Sequence, residues 1–102
     1  MELEIRRQNV RLDEGLLEHI ERQMGFALDQ FNSWISHCSV HVEDVNGTKG
    51  GVDKHCRVLV NLKTGKTLKV EDTDAQMIVA VNRAADRISH AVSREVERKR
   101  DH

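Results

Sequence analysis

Two groups of residues in this sequence are of types that could do chemistry. The first is a set of histidines and cysteines: His37, Cys38, His41, His55 and Cys56. Zinc takes about four such ligands converging in a tetrahedron. No CxxC or HExxH spacing accompanies them. Alternation along two strand-like segments sends Cys38 and Cys56 to one face and the three histidines to the other. A single metal site would therefore need a bulge or a register change. The expectation is no metal, with both thiols packed as small apolar residues. The histidines, on an exposed face, would give any RNA affinity a pH dependence near the ordinary histidine value of about 6.5.

The second group is cationic. On a helical wheel at about 100° per residue, Arg83, Arg87, His90, Arg94 and Arg98 fall within an arc of about 80°, nearly opposite the apolar stripe. Lys99 and Arg100 extend the charge at the C-terminal end, where cations also complement a helix dipole. A stripe seen alone is often just a solvated helix face. Here Asp86, Glu95 and Glu97 lie off it, which leaves the cations poorly matched by acidic partners one turn away. Strand alternation adds Arg6, His37, His41, His55, Arg57, Lys63 and Lys69 on a sheet face turned from the core. Arg and Lys spread over a helix and a neighbouring sheet suit a phosphate backbone, whose contacts position a protein without reading sequence. Aromatic residues are only 3% of the chain and none is Tyr. No stacking platform for single-stranded bases is evident, so recognition would be by shape and charge.

Other motifs are weaker. Gly65-Lys66-Thr67 resembles the tail of a Walker A loop, but Val60 stands where the earlier Gly is required and a strand follows instead of a helix. The glycine-rich segment Asn46 to Gly51 reads as a loop. Its backbone N–H groups could cradle a phosphate with Lys49 and Lys54 nearby, although such loops are more often plain connections. No Ser or Cys sits in a nucleophile elbow, and Asp44, Asp53, Asp72 and Asp74 bound loops, where turn and cap roles account for them.

The elements that position these residues follow from periodicity. Leu3 to Gln8 alternates as a strand. Asp13 is placed as a helix N-cap, with Leu12 and Leu17 at the spacing of a hydrophobic staple. The first helix runs to about Asn32, its apolar residues (Leu16, Leu17, Ile20, Met24, Ala27, Leu28, Phe31) set against an acidic side of Glu14, Glu18 and Glu21. Trp34 and Ile35 lead into a second strand with Cys38, Val40 and Val42 inward. A third strand carries Cys56, Val58, Val60 and Leu62 inward, and a turn at Thr64 to Lys66 gives a fourth with Leu68 and Val70 inward. Thr73 to Gln76 has the pattern of a capping box opening a long second helix towards Arg100, with a core stripe of Ile78, Val81, Ala85, Ile88 and Val92. The order β-α-β-β-β-α, with one apolar face per element, predicts an α+β fold: a four-stranded sheet with two helices packed on one face.

Whole-chain properties bound the reading. A length of 102 residues suits a single domain, residues 1–102. No apolar run reaches the roughly 18 residues of a membrane span, the N-terminus is no signal peptide, and two Cys suit a reduced cytoplasmic protein. A net charge of −1, taken as a sum, speaks against nucleic acid. It conceals a gradient: residues 1–51 carry five basic and nine acidic side chains, residues 52–102 eleven and eight. Distribution decides what a charged face attracts.

The element order and the segment Met77-Ile78-Val79-Ala80-Val81-Asn82, with Asp86-Arg87, Val92 and Arg94 beyond it, resemble the ribosome hibernation-promoting factor family, also called ribosome-associated inhibitor or ribosomal subunit interface proteins. The likeness runs from Leu3 to about Arg98. It implies a stress or stationary-phase factor that binds the small ribosomal subunit in the channel used by tRNA and mRNA, blocks translation and preserves idle ribosomes. By position it implies rRNA contacts for Arg87, His90 and Arg94; Arg83 and Arg98 are added by helical spacing, and Arg57, Lys63 and Lys69 from the sheet. The sequence departs from the family in three ways. Ile78 stands where the family often has Tyr, the Asn46–Gly51 loop is longer than usual, and the chain stops after the second helix, without the dimerisation domain of long members. The expectation is thus a non-enzymatic, monomeric ribosome binder with no cofactor, no membrane contact and no small-molecule substrate. The competing readings are a protein–protein module whose basic stripe meets an acidic partner and, more distantly, a metal-dependent enzyme.

Overall fold

The computed structural model describes residues 1–45 and 53–100. The Asn46–Gly51 loop lies outside the described residues. The elements are β1 (Glu2–Gln8), α1 (Glu14–Leu28), a 3-10 segment (Asp29–Trp34), β2 (Ile35–Asp44), β3 (Lys54–Leu62), β4 (Thr67–Asp74) and α2 (Met77–Arg100). The α+β order β-α-β-β-β-α is as expected. The strands lie in chain order, with β1 parallel to β2 and the other two pairings antiparallel. A parallel pair requires a crossover, which α1 and the 3-10 segment supply.

The core lies between the sheet and the two helices. Cys38, Val40, Val42, Cys56, Val58 and Val60 are fully buried beneath Ile20, Met24, Val81, Ala84, Ile88 and Val92. The β-branched strand residues fill a pleated surface, and the Ala pair Ala84 and Ala85 lets α2 approach the sheet closely. At the start of β2 the register shifts between Ile35 and His37. That irregularity admits Ile35 to the core while His37 turns to the opposite face. Gly65, at φ +98°, closes the β3–β4 turn, where the Leu62 N–H donates to the Lys66 carbonyl at 2.8 Å.

Several local expectations need correction. The first helix does not continue as α-helix to Asn32; it tightens into the 3-10 segment after Leu28. Asp13 does cap it, accepting from the Leu16 N–H at 2.8 Å. At the second helix, Thr73 is the seventh residue of β4, and its hydroxyl meets His55 Nδ1 at 3.1 Å. Asp74 instead accepts the Gln76 N–H at 2.9 Å. A carboxylate is the stronger acceptor there, and Thr73 is committed to the sheet ladder. Ile78 is not in the core stripe: it is 51% exposed, because the buried face of α2 begins at Ala80 and Val81.

Candidate nucleic-acid interface

Strand register resolves the outer face of the sheet into four rows. They read Glu2–His37–Asn61–Thr67, Glu4–Ser39–Leu59–Lys69, Arg6–His41–Arg57–Glu71 and Gln8–Glu43–His55–Thr73. The histidines and Cys residues fall on opposite faces, as alternation requires. The face is not uniformly basic. Four carboxylates (Glu2, Glu4, Glu43, Glu71) share it with three permanent cations (Arg6, Arg57, Lys69). The parity that places the cations there places these glutamates too. Most sheet cations are already matched: Arg6 pairs with Glu4, Lys69 with Glu71 at 3.8 Å, His37 with Glu2 at 3.8 Å and His55 with Glu71 at 3.9 Å. Lys63 is not on the face at all; it lies in the exposed turn after β3, its N–H donating to the Trp34 carbonyl at 2.9 Å.

The helix stripe is present, and it divides. Arg83 reaches Asp74 at 3.3 Å and Asp72 at 3.5 Å. Arg87 reaches Asp72 at 3.7 Å and donates to the Glu71 carbonyl. Arg98 reaches Glu95 at 3.5 Å. His90 and Arg94 are exposed and have no ion pair among the described residues. The expected lack of acidic partners therefore holds for the middle of the stripe and fails at its ends. The partners of Arg83 and Arg87 come from β4, not from a neighbouring helical turn. Their signal was in the sequence: Asp72 and Asp74 continue the parity of Leu68 and Val70, which puts them under α2.

Around this free segment the helix and the sheet edge meet. Lys69, Arg87, His90 and Arg94 line one shallow groove of about 350 Å³, floored by Val70 and Ala91. β4 is one of the two edge strands, so the groove runs along an open flank. At the far end of α2, buried Glu95 accepts from Lys66 at 3.1 Å, tying the β3–β4 turn to the helix. The Lys66 ammonium holds the Glu95 carboxyl below the usual glutamate range, against the opposing effect of burial.

The thiols lie in the core, with Cys56 in register with Asp72 on β4. Burial pushes both Cys38 and Cys56 up to about 12, which leaves them as inert thiols at neutral pH. Among the described residues no group of three or more His, Cys, Asp or Glu is arranged to hold a metal ion. No described helix is long and apolar enough to cross a membrane.

This β-α-β-β-β-α arrangement is that of a known family. Residues 3–100 match the family described as sigma 54 modulation protein / S30EA ribosomal protein. The chain therefore belongs to that family of ribosome-associated proteins. Two of the solved structures that share its fold illustrate the likeness. The N-terminal domain of Protein Y from Thermus thermophilus superposes with a TM-score of 0.76 at 20% identity, covering 92% of this chain and 98% of that one. A ribosomal subunit interface protein from Coxiella burnetii gives 0.78 at 16% identity, covering 95% and 99%. No curated protein matches the chain in sequence.

Proposed function

We propose that this protein is a cytoplasmic, non-enzymatic translation inhibitor that binds the small ribosomal subunit through rRNA and preserves idle ribosomes under stress or in stationary phase. The tRNA and mRNA channel is the site this reading assigns. Family membership supports ribosome association, and the Coxiella burnetii protein of the same fold is a ribosomal subunit interface protein. The observation that carries the reading is the convergence of Lys69, Arg87, His90 and Arg94 on one groove along the sheet edge. From Arg83 to Arg98 the stripe spans about 22 Å of helix, long enough to meet several successive phosphates. Its contacts would be sequence-blind, as befits structured rRNA read by shape. In this reading Arg83, Arg87 and Arg98 exchange or share their carboxylate partners on docking, while His90 and Arg94 are ready as they stand. Arg57, Lys63 and Lys69 complete the contact set.

Sedimentation with purified ribosomes at two salt concentrations tests this. Wild-type protein co-sediments at low salt and releases as salt rises. Arg94→Glu, at a position with no ion pair to lose among the described residues, should weaken binding more than tenfold and leave thermal stability unchanged. Each phosphate contact removed lowers the salt slope by about 0.9. Absence of co-sedimentation at low salt would refute ribosome binding.

A further inference from the structure

The third row of the open sheet face breaks a rule that its neighbours obey. Arg6, His41 and Arg57 stand side by side in register on β1, β2 and β3. Like charges directly opposite across a strand pair are destabilising. Elsewhere on the face a carboxylate has been placed against each cation or histidine. Here His41 has no ion-pair partner, and neither has Arg57, among the described residues. Glu71 is the register partner of Arg57 on β4, but its carboxylate approaches Lys69 at 3.8 Å and His55 at 3.9 Å instead. The Arg57 Nε is buried and donates to nothing. A buried donor without an acceptor costs stability unless a ligand supplies one.

We propose that the Arg6–His41–Arg57 row is a phosphate-binding site on the open sheet face, completed when His41 is protonated. The inference rests on the ribosome-binding reading for its natural ligand, an RNA phosphodiester. His41 faces Arg6 from β1 and Arg57 from β3; Glu4 and His55 lie on the diagonals. Glu43, two residues along on β2, is the nearest carboxylate on its own strand. Glu4 is already engaged by Arg6. Both helices pack on the opposite face. An anion held between Arg6 and Arg57 attracts a proton to the adjacent His41, so phosphate binding and proton uptake are coupled. At neutral pH the face has four carboxylates against three permanent cations. Protonation of its three histidines reverses that balance. Lys69, Arg87 and Arg94 supply attraction in the α2 groove at every pH, and in mild acid the sheet row adds to it alongside the groove's own His90.

The experiment has two arms. In the first, the Arg57 Nε–H signal is followed by NMR while a short RNA duplex is added to the free protein at pH 6.0 and 7.5. The expected result is a shift at pH 6.0 that is several-fold smaller at 7.5 and several-fold smaller in His41→Gln, which keeps the Arg57 signal. No movement of that signal at pH 6.0 overturns the inference. In the second arm, affinity for small ribosomal subunits is measured at both pH values. Wild-type protein should bind about three- to tenfold tighter at pH 6.0. Made in a His90→Gln background, which removes the groove's own histidine, His41→Gln should lose a clear part of the remaining gain, and His41→Lys should bind tightly at both pH values. A remaining gain retained in full by His41→Gln also overturns the inference. A duplex-induced Arg57 shift without any ribosome binding would leave the phosphate site standing and remove the ribosome reading instead.

Discussion

Glu95 shows how one residue can look expendable in a sequence and be central in a structure. It sits off the cationic stripe, yet it is 5% exposed and joined to Lys66 and Arg98. Its carboxyl titrates below the ordinary glutamate range. The linked stability is therefore present above the unfolded-state value and is lost as pH falls through the folded one. Glu95→Gln should lower the melting temperature at pH 7 and flatten the fall in stability below about pH 4.5, read by thermal denaturation across pH. Asp13→Ala, which removes the α1 cap, should cost about 1 kcal/mol. Cys38 and Cys56 make a different prediction. Fully buried and shifted up to about 12, they should resist a thiol reagent at pH 8 in the native protein and react once it is unfolded in denaturant.

At the scale of elements, α2 carries both the core and the groove, on opposite sides of one 24-residue helix. Ile88→Ala should cost about 2–5 kcal/mol in denaturant unfolding, because a fully buried side chain packs between sheet and helix. Alternation and helical spacing were enough to reveal the strands, both helices, the inward Cys pair and the stripe. They could not reveal what depends on register. The carboxylates of the open face were visible as letters, but Glu71 against Arg57 appears only when strands are aligned, whereas Asp72 beneath α2 was legible from strand parity. Thr73 failed as a cap because its side chain lies on the outer sheet face against His55, while Asp74, one residue on, turns its carboxylate to the Gln76 N–H. Ile78 fell outside the core because a wheel gives direction but not where packing begins.

For the whole molecule, the charge gradient of the sequence becomes a division between faces. Glu14, Glu18 and Glu21 are exposed on α1, while the groove between β4 and α2 is cationic. The body is elongated, 50 × 22 × 19 Å, so an approaching polyanion would meet the two flanks very unequally. Such a dipole orients a protein during encounter and speeds association at low ionic strength. Neutralising Lys69 and Arg94 together should therefore slow association with ribosomes in stopped-flow measurements more than it speeds dissociation.

The bond from Arg87 to the Glu71 carbonyl has a consequence of its own. β4 ends the sheet, and an uncovered strand edge is a template for pairing with another chain. Arg87 covers one of its acceptors from the side, and Lys69 and Glu71 place charge along the same flank. The arginine that would be lent to a phosphate is thus one that also occupies a backbone acceptor of the strand ending the sheet.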